Sequence, residues 1–434
     1  MSSNVAASVV KGAGYTLFVL FLINFLNFFD RFLPGVVLEP IRKEFGLSDT
    51  LSGALGTAFI LIYAVAGIPL GRLADRMKRT HILGAGVAAW SVATAASGMV
   101  SNFTGLLFAR LAVGVGEATC APAGNSMIGD LYPSHRRARA LGLFMLGLPL
   151  GSLACFALGG WIAQTYGWRA AFFIAAAPGI VVAVLAWRLT EPARGQHDKA
   201  ASTPVAGNAF KQILSIETVW WIIASGAAIN FAAYSLNSFL PALLVRLHGL
   251  NLAQAGVVAS LVLGATGLVG LTLGGIAADR LHQKFPRGRL LLGAIALLIS
   301  APLLWLGLNQ AAGAVTALAL FVGAGWLLYF LYYVTVYPAL QDVVDARLRA
   351  TAMAVYFFFQ YVLGGAVGSL VTGAMSDHYA KAAMRAANAT EMAPAFIAQG
   401  LQQSLALGVP LAILTTGLVL VMASRSFVRD AARR

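Results

Sequence analysis

Apolar residues run along this chain in stretches of about twenty, each closed by a short polar, often basic, segment. Twenty helical residues rise about 30 Å, the thickness of a bilayer's hydrocarbon core, so such stretches read as membrane-spanning helices. Twelve are predicted, near residues 15–37, 51–73, 80–100, 104–128, 139–162, 169–189, 217–240, 252–275, 289–308, 313–338, 351–374 and 401–423. Between spans 6 and 7 the pattern changes. The stretch EPARGQHDKAASTPVAG from Glu191 to Gly207 is polar and rich in small residues, which marks a linker. The expected organisation is an N-terminal six-helix bundle over 1–190, a cytoplasmic linker over 191–215 with a short interfacial helix near Phe210 to Ile216, and a C-terminal six-helix bundle over 216–434.

Composition agrees with the pattern. The 434 residues are 59% hydrophobic and 11% charged, a balance that leaves too few polar residues to cover a soluble domain of this size. The net charge of +14 raises the question of nucleic acid, and its distribution answers it. With the N-terminus in the cytoplasm, 22 of the 30 lysines and arginines fall on inner segments, as the positive-inside rule requires. The charge is therefore topological, nucleic acid is excluded as a partner, and the expectation is a multi-pass protein of the cell (inner) membrane with both termini cytoplasmic. Cys120 and Cys155 both fall inside predicted spans and imply no disulfide.

Charges inside the spans are few: Asp30 and Arg31 in span 1, Arg110 and Glu117 in span 4. An ionisable group at membrane depth is costly and usually faces a protein interior or watery cavity on a substrate or ion path. Arg110 and Glu117 are seven residues apart, so they return to nearly the same helix face. Counted from the predicted ends, Asp30 and Arg110 lie level near the outer boundary, while Arg31 points about 100° away from Asp30. The expected network pairs Asp30 with Arg110 and lets Arg31 reach Glu117, a carboxylate placed to take and release a proton. The competing reading is a structural salt bridge that pins neighbouring helices.

The second half carries no ionisable residue at depth. Its polarity is phenolic and amidic: Asn230 in span 7, Tyr333 and Tyr337 in span 10, Tyr356 and Gln360 in span 11, with Phe357, Phe358 and Phe359 alongside. Such groups on an apolar wall suit an amphiphile, rings along a tail and hydrogen bonds for a head group. These five residues are the candidate substrate cavity. There is no G-x-x-x-x-G-K-[ST] cradle for ATP, and the six histidines show no metal-ligand spacing. No cofactor and no metal are expected, so energy must come from a gradient.

Two loops repeat. Gly71-Arg72-Leu73-Ala74-Asp75-Arg76 follows span 2, and Gly275-Ile276-Ala277-Ala278-Asp279-Arg280 follows span 8, the second span of each half. This duplication resembles the major facilitator superfamily over the whole chain, and implies an all-α membrane protein of twelve transmembrane helices in two pseudo-symmetric halves. It implies a gating role for Gly71, Asp75, Arg76, Asp279 and Arg280, with Asp75 capping a helix of the opposite half. Within the superfamily, Asp30-Arg31, the run from Arg110 to Glu117-Ala118, Ile128-Gly129-Asp130-Leu131-Tyr132 and Pro149-Leu150-Gly151-Ser152 resemble the Spinster-like group, in a bacterial form. That resemblance implies a secondary active transporter, not an enzyme, working as a monomer by alternating access and coupled to protons, for a lipid-like or anionic/zwitterionic small molecule. The alternative is an organic anion:cation symporter for a carboxylate metabolite, with Arg31 and Arg110 holding the anion. A diacid would want a cation in the second half as well, and none is found there.

Overall fold

The protein, described here from a computed structural model, is helical throughout, with no strand among the described residues, which are 12–195, 208–285, 287–345 and 348–432. Among the described residues eleven helices are long and apolar enough to cross a membrane; span 3, Arg79–Ser97, is the twelfth and the least apolar, with serines, threonines and glycines on its buried faces. The spans are Ala13–Val36, Asp49–Ala74, Arg79–Ser97, Phe103–Leu131, Arg139–Tyr166 and Trp168–Trp187 in the first half, then Glu217–Arg246, Leu252–Lys284, Gly288–Leu308, Val315–Val343, Thr351–Ala386 and Pro394–Ala432 in the second. Two short helices flank them: Leu38–Phe45 after span 1 and Ala209–Leu214 before span 7. Residues 196–207 of the expected linker lie outside the described residues.

Several spans are interrupted. Span 4 breaks at Ala118 and Thr119, because Pro122 has no N–H to give to the Ala118 carbonyl four residues back. Spans 5, 8 and 11 each contain a π-helical turn, at Cys155–Gly159, Ser260–Ala265 and Gln360–Gly365. Such turns are rare and concentrate at functional sites.

Among the described residues, the contacts between the halves run from one end of the molecule to about its middle. A Cβ added to Gly53 of span 2 would meet the Ser369 carbonyl of span 11, and one added to Gly160 of span 5 would come within 3.1 Å of the Gly256 Cα of span 8. Only glycine allows backbones that close. Toward the opposite end the same helices part: Gly67 of span 2 and Gly142 of span 5 have nothing within 4 Å of such a Cβ. The result is a cleft that opens toward the end bearing the two repeated loops and closes toward the end bearing the short helix Leu38–Phe45.

Candidate functional site

Where the cleft narrows, span 1 presents Arg31 to span 4. Its Nη2 donates to Glu117 Oε2 at 3.0 Å and its Nε to the same oxygen at 3.3 Å, while Nη2 also reaches Asn27 Oδ1 at 3.0 Å. Glu117 is 0% exposed and its second oxygen, Oε1, has no partner. The guanidinium lies among rings, 4.5 Å from the Tyr63 centroid, 4.9 Å from Phe28 and 5.5 Å from Phe59. Aromatic faces stabilise a cation without neutralising it, which keeps Arg31 charged in an apolar place.

The expected pairing of Asp30 with Arg110 is not what forms. Arg110 Nη2 donates at 3.1 Å to the main-chain carbonyl of Asp30, and no ion pair joins the two side chains. The reason lies in span 1 itself. Pro34 has no N–H, so the Asp30 carbonyl is left without its helical donor, and Arg110 fills the vacancy. The Asp30 carboxylate takes the Thr94 hydroxyl of span 3 at 3.3 Å instead, and its Oδ1 is unpartnered, as is Nη1 of Arg110. The four charges do cluster, with the Phe59 ring between the guanidinium groups at 5.5 Å from Arg31 and 5.3 Å from Arg110. Both arginines line one small cavity whose far wall is Tyr234, Asn237 and Ser238 of span 7. Two buried cations on that cavity, one with an unpartnered N–H, and two buried carboxylates beside them, each with one unpartnered oxygen, form an arrangement able to hold an anionic group or exchange a proton.

The second half meets this cluster with rings. Tyr361 of span 11 packs edge-on to Tyr63 at 5.6 Å and to Tyr234 at 6.5 Å. From Tyr361 the rings continue through Phe357 at 6.4 Å to Tyr337, then to Tyr333 and Tyr329 at 5.5 and 5.6 Å steps, ending where the hydroxyls of Tyr333 and Tyr329 bond each other. Tyr333 and Tyr337 are partly exposed. Tyr356 stands beside Tyr337 at 5.8 Å but is fully enclosed, its hydroxyl bonded to that of Tyr332 at 2.9 Å. Asn230 is buried and donates to the Gly226 carbonyl of its own helix at 3.4 Å. Gln360 is buried in the π-helical turn with its Oε1 unpartnered. Sequence reasoning missed Phe59, Tyr63 and Thr94. Tyr63 is the one tyrosine of span 2, and its spacing of four from Phe59 was the available signal.

At the open end, Gly71 packs against Pro122, and Arg76 and Arg280 are exposed. The side chain of Asp75 lies outside the described residues. Asp279 pairs with Arg289 of its own half at 2.9 Å, and Arg289 also takes Asp342 at 3.2 Å. In the first half the buried Arg79 bonds Asp130 and, at 2.7 Å, Glu191. None of these contacts joins the two bundles.

A cleft between two six-helix halves with repeated loops at its mouth is the plan of an alternating-access carrier, and the comparisons agree. The Major Facilitator Superfamily model matches residues 20–369, so the chain belongs to that superfamily; it is a multi-pass membrane transporter, not an enzyme. Within the superfamily it belongs to the Spinster-like group. It is 31% identical over 389 residues to protein spinster homolog 1 of Bos taurus, covering 83% of this chain and 72% of that one. It superposes with a TM-score of 0.86, at 30% identity over 98% of this chain and 99% of the other, on a bacterial homolog of the human lysosomal transporter Spinster in an inward-facing, unoccupied conformation. An MFS-type efflux pump of Mycolicibacterium smegmatis is 33% identical over 360 residues, 83% of each chain.

Proposed function

We propose that this transporter moves a single-headed amphiphile, anionic or zwitterionic at one end and apolar along its body, across the cell inner membrane in exchange for, or together with, protons. The observation that carries the reading is the contrast across the cleft: a buried Arg31–Glu117 pair on one wall and, on the other, an aromatic wall from Tyr361 to Tyr329 whose spans carry no Asp, Glu, Lys or Arg over 315–341 and 351–376. A head group that offers an anion to Arg31 replaces Glu117 as its partner. Glu117, relieved of its cation in a site from which water is excluded, then takes a proton and becomes neutral. Proton uptake and substrate binding are thereby the same exchange of partners, and the tail lies on the rings, which reward apolar area.

The organic anion reading draws on Arg110, whose Nη1 is buried without a partner beside the same cavity. Two guanidinium groups on either side of Phe59 would grip a compact carboxylate. The absence of Asp, Glu, Lys and Arg at depth in the second half favours the amphiphile.

The charge pattern and the fold support the remaining assignments. The open end of the cleft is the cytoplasmic one, where the basic loops lie, and both termini are on that side. The two bundles, 1–190 and 216–434, rock about the site as a monomer, with Gly71, Asp75, Arg76, Asp279 and Arg280 at the cytoplasmic gate. The test is transport into proteoliposomes under an imposed pH gradient, with a fluorescent single-chain zwitterionic amphiphile and a dicarboxylate as rival cargoes. Gradient-driven uptake of the amphiphile alone supports the proposal; uptake of the dicarboxylate alone transfers the assignment to the symporter reading.

A further inference from the structure

The closed end carries a second charge cluster, unrelated to the repeated loops. Asp377, near the C-terminal end of span 11, accepts the backbone N–H of Asp49 at 3.0 Å and that of Thr50 at 2.9 Å, together with the Thr50 hydroxyl. It therefore caps the first turn of span 2, a 28-residue helix of the other half whose positive dipole end favours a carboxylate. Beside it Arg246, the last residue of span 7, donates to Glu39 at 2.6 Å and to Asp49 at 2.8 Å. Ser376 adds a hydrogen bond to Asp49 at 2.6 Å. The Arg246 side chain is 5% exposed, and those of Glu39 and Asp49 are 4% and 2%, so these are not solvated surface pairs. Of the ion pairs formed between described residues, those that join the two halves are both made by Arg246.

We propose that Asp377 and Arg246 are positioning residues of the transport cycle: together they latch the closed end and set the balance between the two facing states. Every one of their bonds to span 2 and to the Leu38–Phe45 helix crosses the seam between the halves, so all must break when that end opens, and none is needed to fold either half. The glycine contacts between spans 2 and 11 give the seam its close fit. Charge-assisted bonds that exist in one state only supply the preference.

The experiment uses the full-length protein in nanodiscs with spin labels at Ser101 and Glu391, on exposed loops of opposite halves at the closed end. Pulsed electron–electron distance distributions then report the fraction open at that end. Asp377→Asn keeps the shape and removes the charge, and Arg246→Gln removes the bridge at an independent position. Each is expected to raise the ratio of long to short distances roughly tenfold, the scale of a lost charged hydrogen bond, and Asp377→Glu is expected to return it toward the parent. Parental distance distributions in variants that keep parental melting temperature and gel-filtration volume would overturn the proposal. Should Asp377→Asn fail to fold, the Arg246→Gln distribution decides alone.

Discussion

The two halves share an architecture and divide the chemistry. The first holds Asp30, Arg31, Arg110 and Glu117 within its spans, all of them buried. The second places Tyr361, Phe357, Tyr337 and Tyr333 opposite them. A buried charge needs a counter-ion, hydrogen bond or ring beside it, and such partners can be exchanged; a ring offers area and a weak polar handle, and exchanges nothing. One wall therefore switches and the other grips. The amphiphile proposed above is the cargo that uses both.

That division can be broken on either side. The largest effect is expected from Arg31→Ala, which leaves Glu117 buried without its cation. Unpairing a buried ion pair in this way costs about 3–5 kcal/mol, so the purified protein should melt well below the parent in detergent, and Arg31→Ala combined with Glu117→Gln should recover much of the loss. Next is Glu117→Gln alone. It is expected to keep the fold and substrate binding while abolishing the response of transport to a pH gradient, measured as the ratio of initial rates with and without the gradient in proteoliposomes. A smaller change is expected from the gripping wall: Tyr361→Ala should weaken amphiphile binding by a factor on the order of ten, with the pH response intact. Smallest is Glu44→Gln at the closed surface. Hydrogen bonds from Arg169 and Trp168 hold that carboxyl down at about 2, yet it is exposed, so the melting temperature at neutral pH should hardly move.

Much of this was legible in the order of residues. Runs of apolar residues gave all twelve spans, and the shortage of charges inside them singled out Arg31 and Glu117, which do pair. Asp30 was placed at the right depth and given the wrong partner, because depth along a helix ignores what a proline does four residues later. The carbonyl freed by Pro34 competes for Arg110 and wins, a main-chain effect that no count of side-chain charges contains. Phe59 and Tyr63 went unnoticed since aromatic residues in an apolar span look like lipid-facing packing until a cation is found beneath them. The π-helical turns of spans 5, 8 and 11 carry no compositional mark. Asp377, Asp49, Glu39 and Arg246 escaped for another reason: each stands at the margin of a span, where a charge is unremarkable, and only the folded chain brings four such margins together.

The central claim is that substrate takes the place of Glu117 on Arg31 while Glu117 takes up a proton. It is tested most directly by following proton uptake when a single-chain zwitterionic amphiphile is added to the purified protein in weakly buffered solution, beside the Glu117→Gln variant. The account predicts uptake of protons by the parent that saturates with binding, and binding without uptake by the variant. Equal proton uptake in both, or saturable binding to the parent with none, would contradict it.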